Sequence, residues 1–71
     1  MKNFIEVTDE RSKKHLINIR HIEEVVECDD NRCFVYLDVV SGETQDYYTI
    51  NKPYETIKLL IMQKEGADNG G

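Results

Sequence analysis

No apolar run in this chain approaches the length of a membrane span, and the start, MKNFIEVTDE, has no hydrophobic stretch of the kind a secretory leader needs. A cytoplasmic protein with no membrane insertion is the expectation. Cysteine is scarce: Cys28 and Cys33 stand in CDDNRC, which is not the CxxC pattern of a zinc site, and no further ligands fall at suitable spacing. Flanking a turn, the two thiols could face each other across paired strands at a distance compatible with a disulfide. Without an export signal, reduced structural thiols are expected. Positive charge is also short, with 9 Lys and Arg against 14 Asp and Glu for a formal net charge of -5. That balance sets the chain against polyanions and removes the usual electrostatic footing of nucleic-acid binding.

What is present centres on Ile22–Val40, IEEVVECDDNRCFVYLDVV. Branched and aromatic side chains crowd Ile22–Cys28 and Cys33–Val40, and such residues suit a pleated surface better than a helix turn. The four residues between, Asp29-Asp30-Asn31-Arg32, are turn formers, so the two runs read as a hairpin. Alternation puts Cys33, Val35, Leu37 and Val39 on a core face, with Phe34, Tyr36, Asp38 and Val40 on the other. In the first run Val25 and Val26 are adjacent and cannot both point inward. Counting from Ile22 selects Ile22, Val26 and Cys28 as inward.

The remaining elements cover this hairpin. Asn3–Thr8 reads as a strand with Ile5 and Val7 on one face, followed by the polar turn Asp9–Lys13. A second strand, Lys14–Ile19, places His15, Ile17 and Ile19 opposite Leu16 and Asn18. The helical spacing of Ile19, Ile22 and Val25 predicts one helical turn capped by Asn18. Gly42 supplies a positive φ for the turn before a fifth strand, Thr44–Ile50, on which Tyr48 and Ile50 share a face. The single proline, Pro53, both stops that strand and opens a helix. Tyr54, Ile57, Leu60 and Ile61 recur at three- and four-residue steps along it, leaving Leu59 and Met62 off the stripe. The helix is expected to run to about Lys64 and to end at Glu65-Gly66.

The predicted fold is therefore α+β: a five-stranded antiparallel meander sheet, curled and barrel-like, with one C-terminal helix packed on one face. One domain over residues 1–65 and a flexible tail at 66–71 are expected, and a chain of 71 residues has room for one modest core.

Four groups of side chains could carry function. Glu23, Glu24, Glu27, Asp29 and Asp30 lack the glycine-bearing spacing of a calcium loop and read as a solvated strand face. His15 and His21 have no partner at catalytic or metal-ligand spacing, and no Ser or Cys stands in a nucleophile motif, so no catalytic residue, metal site or cofactor is expected and the chain is read as non-enzymatic. Arg11, Lys13, Lys14 and Arg20 could touch phosphates, which makes a nucleic-acid module the alternative reading. The group carrying most weight is Phe34, Tyr36 and Tyr47, expected together on the sheet face away from the helix. Clustered rings on an uncovered face mark a protein contact, with an unidentified partner or with another copy of the chain.

With the elements placed, the layout resembles the small flagellar FlbD family, also called SwrD-type swarming proteins. The matching pieces are Phe4-Ile5-x-Val7-Thr8, Leu16-Ile17-Asn18-x-x-x-Ile22-Glu23, Ser41-Gly42, and the closing helix with Glu55, Ile57 and Ile61, together spanning Phe4 to Met62. The family's glycine in the first turn is absent from Asp9–Lys13. The resemblance implies a short bacterial cytoplasmic protein linked to motility, without enzymatic activity. The function expected is a small protein-interaction or regulatory module.

Overall fold

The computed structural model describes the backbone of residues 3–70 and the side chains of residues 3–65. Its elements run β1 (Phe4–Thr8), β2 (Lys14–Asn18), a 3-10 turn (Ile19–His21), β3 (Ile22–Asp29), β4 (Arg32–Ser41), β5 (Thr44–Ile50) and α1 (Tyr54–Gly70). The class is α+β, with five antiparallel strands and one helix, but the strands do not form one meander. They divide into a two-stranded sheet, β1-β2, and a three-stranded sheet in the order β3-β4-β5.

The division has a local cause. Asn18 accepts a hydrogen bond at its side-chain oxygen from the Arg20 N–H at 3.0 Å, and the Ile22 N–H closes the turn onto the Ile19 carbonyl. This single 3-10 turn, expected from the spacing, swings the chain out of β2 and starts β3 in another sheet. The sheets then meet at the opposite corner, where Asp9 bridges Ile50 and the Glu10 N–H donates to the Thr49 carbonyl at 3.0 Å. The two sheets do not close into a barrel.

Bulges set which residues face inward. In the β3–β4 ladder Ile22 opposes Leu37, yet the next paired residue is Glu24, opposite Tyr36. A bulge at Glu23 inserts one residue and reverses the parity of the strand beyond it. Val25, opposite Val35, therefore packs against the core, while Val26 opposes Phe34 on the other face. Counting from Ile22 without the bulge gives Val26 and Cys28 as inward; Ile22 does pack on the core, but Cys28 is exposed at a second irregularity between Glu27 and Asp29. Cys33 is buried opposite Glu27, so the two cysteines are not a cross-strand pair, and both are free thiols.

On β4, Cys33 and Val35 are fully buried and Leu37 packs beside them, as alternation predicts. Val39 does not follow: it is 47% exposed, because the β4–β5 pairing is irregular between Tyr36 and Val40 and the hairpin end runs past the core. Gln45 bridges these irregularities. Its side-chain N–H donates to the Leu37 carbonyl at 2.7 Å and to the Glu23 carboxylate at 3.0 Å, supplying a partner for a carbonyl in the irregular stretch.

The β3–β4 and β4–β5 turns each have two residues between the strands, so Asp29 and Arg32, expected in a four-residue loop, belong to the strands instead. Asp30-Asn31 is clamped by Asp29, which takes the Asn31 N–H at 2.9 Å and the Arg32 guanidinium at 2.8 Å. Gly42 has φ +68°, the left-handed conformation that glycine adopts without a Cβ clash.

The helix closes the core. The Pro53 carbonyl accepts from the Thr56 N–H at 3.0 Å, so Pro53 stands just before the first helical residue, and Glu55 lies in the first turn near the positive helix end. Contacts run from α1 to β1 and β3. Ile57 is 0% exposed in one cluster with Ile5, Val7, Ile17, Cys33, Val35 and Ile50, and Tyr54, Leu60 and Ile61 pack around it. Leu59 and Met62 are each 55% exposed, as their place off the stripe requires. The helix is assigned to Gly70 rather than ending at Glu65-Gly66: glycine lowers helix propensity by about 1 kcal/mol without blocking it, and no proline follows.

Two substitutions separate the faces of α1. Ile57→Ala is expected to cost roughly 2–5 kcal/mol, a large share of the roughly 4–10 kcal/mol total for a domain of this length, while Leu59→Ala should stay within about 0.5 kcal/mol. Urea unfolding checks both, and equal costs would contradict the packing. Thiol labelling tests the parity of β3 and β4: Cys28 should react at once under native conditions and Cys33 only on unfolding, since burial pushes the Cys33 thiol up from its ordinary pKa, with the nearby Cys28 adding to the shift.

Candidate interaction face

The face of the three-stranded sheet turned away from α1 follows from the same parity. Residues paired across antiparallel strands project to one side, so with Val35 and Tyr48 on the core side, the neighbouring pairs Tyr36–Tyr47 and Phe34–Thr49 project to the other. Tyr36 and Tyr47 are directly opposed, and their ring centroids lie 5.3 Å apart. Phe34 meets the Tyr47 ring edge-on at 5.8 Å and sits 6.3 Å from the Tyr36 ring. These are the separations at which aromatic pairs attract. The three residues singled out in the sequence thus form one contiguous cluster, with Tyr47 50% exposed. Val26 extends it on β3, beside Phe34, and Glu24 borders it beside Tyr36.

Next to the cluster lies a shallow groove of about 370 Å³ lined by Asp9, Glu10, Arg11, Tyr47, Tyr48 and Thr49. One wall is the β1–β2 turn, and Asp9 organises it. Its carboxylate accepts the Arg11 N–H at 2.8 Å, the Lys13 N–H at 2.9 Å and the His15 Nε2–H at 2.7 Å. Its backbone N–H donates to the Lys13 carbonyl at 2.9 Å, and its carbonyl accepts from the Ser12 N–H at 3.0 Å. The turn needs this anchoring, because Ser12 has φ 65°, a left-handed conformation that costs a non-glycine residue about 1–2 kcal/mol. Hydrogen bonding from His15, then from the Lys13 and Arg11 N–H groups, holds the Asp9 carboxyl below its ordinary value of 3.8.

His15, which shows no partner in the sequence, has two in the fold. It is half-buried, with its ring 4.2 Å from the Tyr48 ring centroid and tied to Asp9. The hairpin register carries the signal: Val7 opposes His15, so the turn residue Asp9, two positions on, folds back over the histidine. One carboxylate oxygen is taken by backbone N–H groups and the other by the imidazole, an arrangement that holds a turn and offers no free base. His21 lies on the surface, 3.3 Å from an Asp38 oxygen.

The basic residues are split. Arg11, Lys13 and Lys14 lie on or beside the β1–β2 turn, whereas Arg20 follows Asn18 at the other end of β2, a strand about 13 Å long. The acidic group is split as well, with Glu23 held by Gln45 and Asp29 by Arg32. Among the described residues no group of His, Cys, Asp and Glu converges as a metal site, and no helix is long and apolar enough to cross a membrane.

Asp9 makes stability depend on acid. A carboxylate held below its unfolded value contributes stability above that value, and the contribution is lost as pH falls through about 4 toward the folded value. Asp9→Asn keeps an acceptor for the turn but cannot ionise. It should lower stability at neutral pH and flatten the loss below about pH 4, leaving the part due to Asp29, which Arg32 also holds low. Urea midpoints across a pH series measure this, and an unchanged slope would show that Asp9 has no such role.

Comparison with protein-family models, with curated proteins and with solved structures returns no match.

Proposed function

We propose that this chain is a small non-enzymatic interaction module that binds a protein partner with the open face of its three-stranded sheet, through Phe34, Tyr36 and Tyr47. The observation that carries the reading is the mutual packing of three rings at 5.3–6.3 Å on the face opposite the buried one. Aromatic side chains bring large contact area at low conformational cost and dominate the centres of protein contacts. Addition of a partner strand to the sheet edge is less well supported. The edge strand β3 carries irregularities at Glu23 and Cys28, which interrupt the row of backbone groups that an added strand would use. The resemblance to the FlbD/SwrD pattern supports a motility-associated adaptor as the setting.

Nucleic-acid binding through Arg11, Lys13, Lys14 and Arg20 is the alternative. It is disfavoured by the net charge and by the separation of Arg20 from the other three. Peptides selected from a random display library on the immobilised chain are expected to bind about tenfold or more weakly to Tyr47→Ser and unchanged to a Lys13→Ser, Lys14→Ser double variant. Tight binding of single- or double-stranded nucleic acid that is lost in the lysine variant and falls steeply with salt would overturn the proposal.

A further inference from the structure

The charge of this molecule is unevenly placed. Residues 22–50, which make up the three-stranded sheet, hold eight carboxylates (Glu23, Glu24, Glu27, Asp29, Asp30, Asp38, Glu43 and Asp46) against one cation, Arg32, a net of -7. The remainder of the chain therefore carries +2 of the total of -5. Even Arg32 is engaged, with its guanidinium 2.8 Å from Asp29. The aromatic face thus lies on the acidic side of the protein. Glu24 is the cross-strand partner of Tyr36, Glu10 lines the groove beside Tyr47, and Asp38 lies two residues beyond Tyr36 on β4. Arg11 stands across the groove from Tyr47, and Arg32, two residues before Phe34 on β4, is tied to Asp29.

From this placement we infer that the partner of the aromatic face is a basic peptide segment, bearing arginine or lysine, whose cations lie over the Phe34, Tyr36 and Tyr47 rings and beside Glu24. The inference rests on the proposed use of that face. Each ring carries its negative quadrupole on its face, where a guanidinium or ammonium within about 6 Å is attracted, and the neighbouring carboxylate adds to the attraction. A surface with one sign of charge also draws an oppositely charged segment in and rejects a like-charged one. The same argument disfavours a second copy docked face to face, since that contact would bring the two Glu24 carboxylates and their acidic surroundings together.

The test titrates the isotope-labelled full chain, followed by NMR, with three otherwise identical peptides on one apolar frame whose variable positions are all Arg, all Gln or all Glu. The Arg peptide is expected to shift the amides of Glu24, Val26, Phe34, Tyr36 and Tyr47, and to bind less tightly as salt rises. It should weaken about threefold at low salt in Glu24→Gln and about tenfold or more in Tyr47→Ser, with both variants retaining the parent spectrum elsewhere. If the Gln or Glu peptide shifts the same amides as tightly, the face stands as a docking surface and the basic partner is overturned. If the Arg peptide shifts only Asp29–Asp30 and the other carboxylates away from the rings, or if no peptide shifts anything, the docking reading of the face fails with it. A concentration-dependent dimer lost in Tyr47→Ser would replace the peptide with a second copy.

Discussion

One helix can roof only one side of a sheet, and that constraint organises this molecule. The apolar stripe of α1 seats Ile57 among Cys33, Val35 and Ile50, all four with no exposed surface. Ile5, Val7 and Ile17 of the smaller sheet complete the enclosure. With that side closed, the reverse of β3-β4-β5 has no element over it among the described residues, although it carries Phe34, Tyr36 and Tyr47. Burial on one face and aromatic display on the other are two results of the same two-residue period.

The irregularities in the sheet refine this arrangement. Without the bulge at Glu23, Val25 would leave the core and Val26 would enter it, so one inserted residue decides both which valine seals the interior and which extends the aromatic face. The same break, with the one at Cys28, disrupts the edge on which an added strand would pair. At the opposite corner, Asp9 holds a strained turn against β5 and forms a wall of the groove beside Tyr47.

The sequence made the number, order and faces of the elements readable wherever alternation was unbroken, as in β1, β5, the first half of β4 and the stripe of α1. The 3-10 turn was readable too, because the Ile19–Ile22–Val25 spacing and the Asn18 cap agree. What failed was whatever depends on counting past an irregularity. A bulge leaves no residue signature in IEEVVECD, so Val25, Val26 and Cys28 were misassigned, and Val39 was placed inside although the strand outruns its roof. The split into two sheets was also hidden, since nothing local states whether strands on either side of a helical turn will pair. For the candidate face the rings were found by parity alone. The Asp9–His15 contact was missed, because it needs the register of β1 against β2 as well as the spacing between the two residues.

The central claim is that the two faces of the three-stranded sheet differ as described: one sealed by α1, the other open and aromatic. Its most direct measurement is the effect of a soluble, inert paramagnetic agent on the NMR signals of side-chain protons. The account predicts strong broadening of the Tyr47 ring protons, weaker broadening for half-buried Phe34 and Tyr36, and none for the methyl groups of Ile57, Val35 and Ile50. Protected tyrosine rings, or broadened Ile57 methyls, would show that the helix does not cover the face assigned to it and would contradict the account.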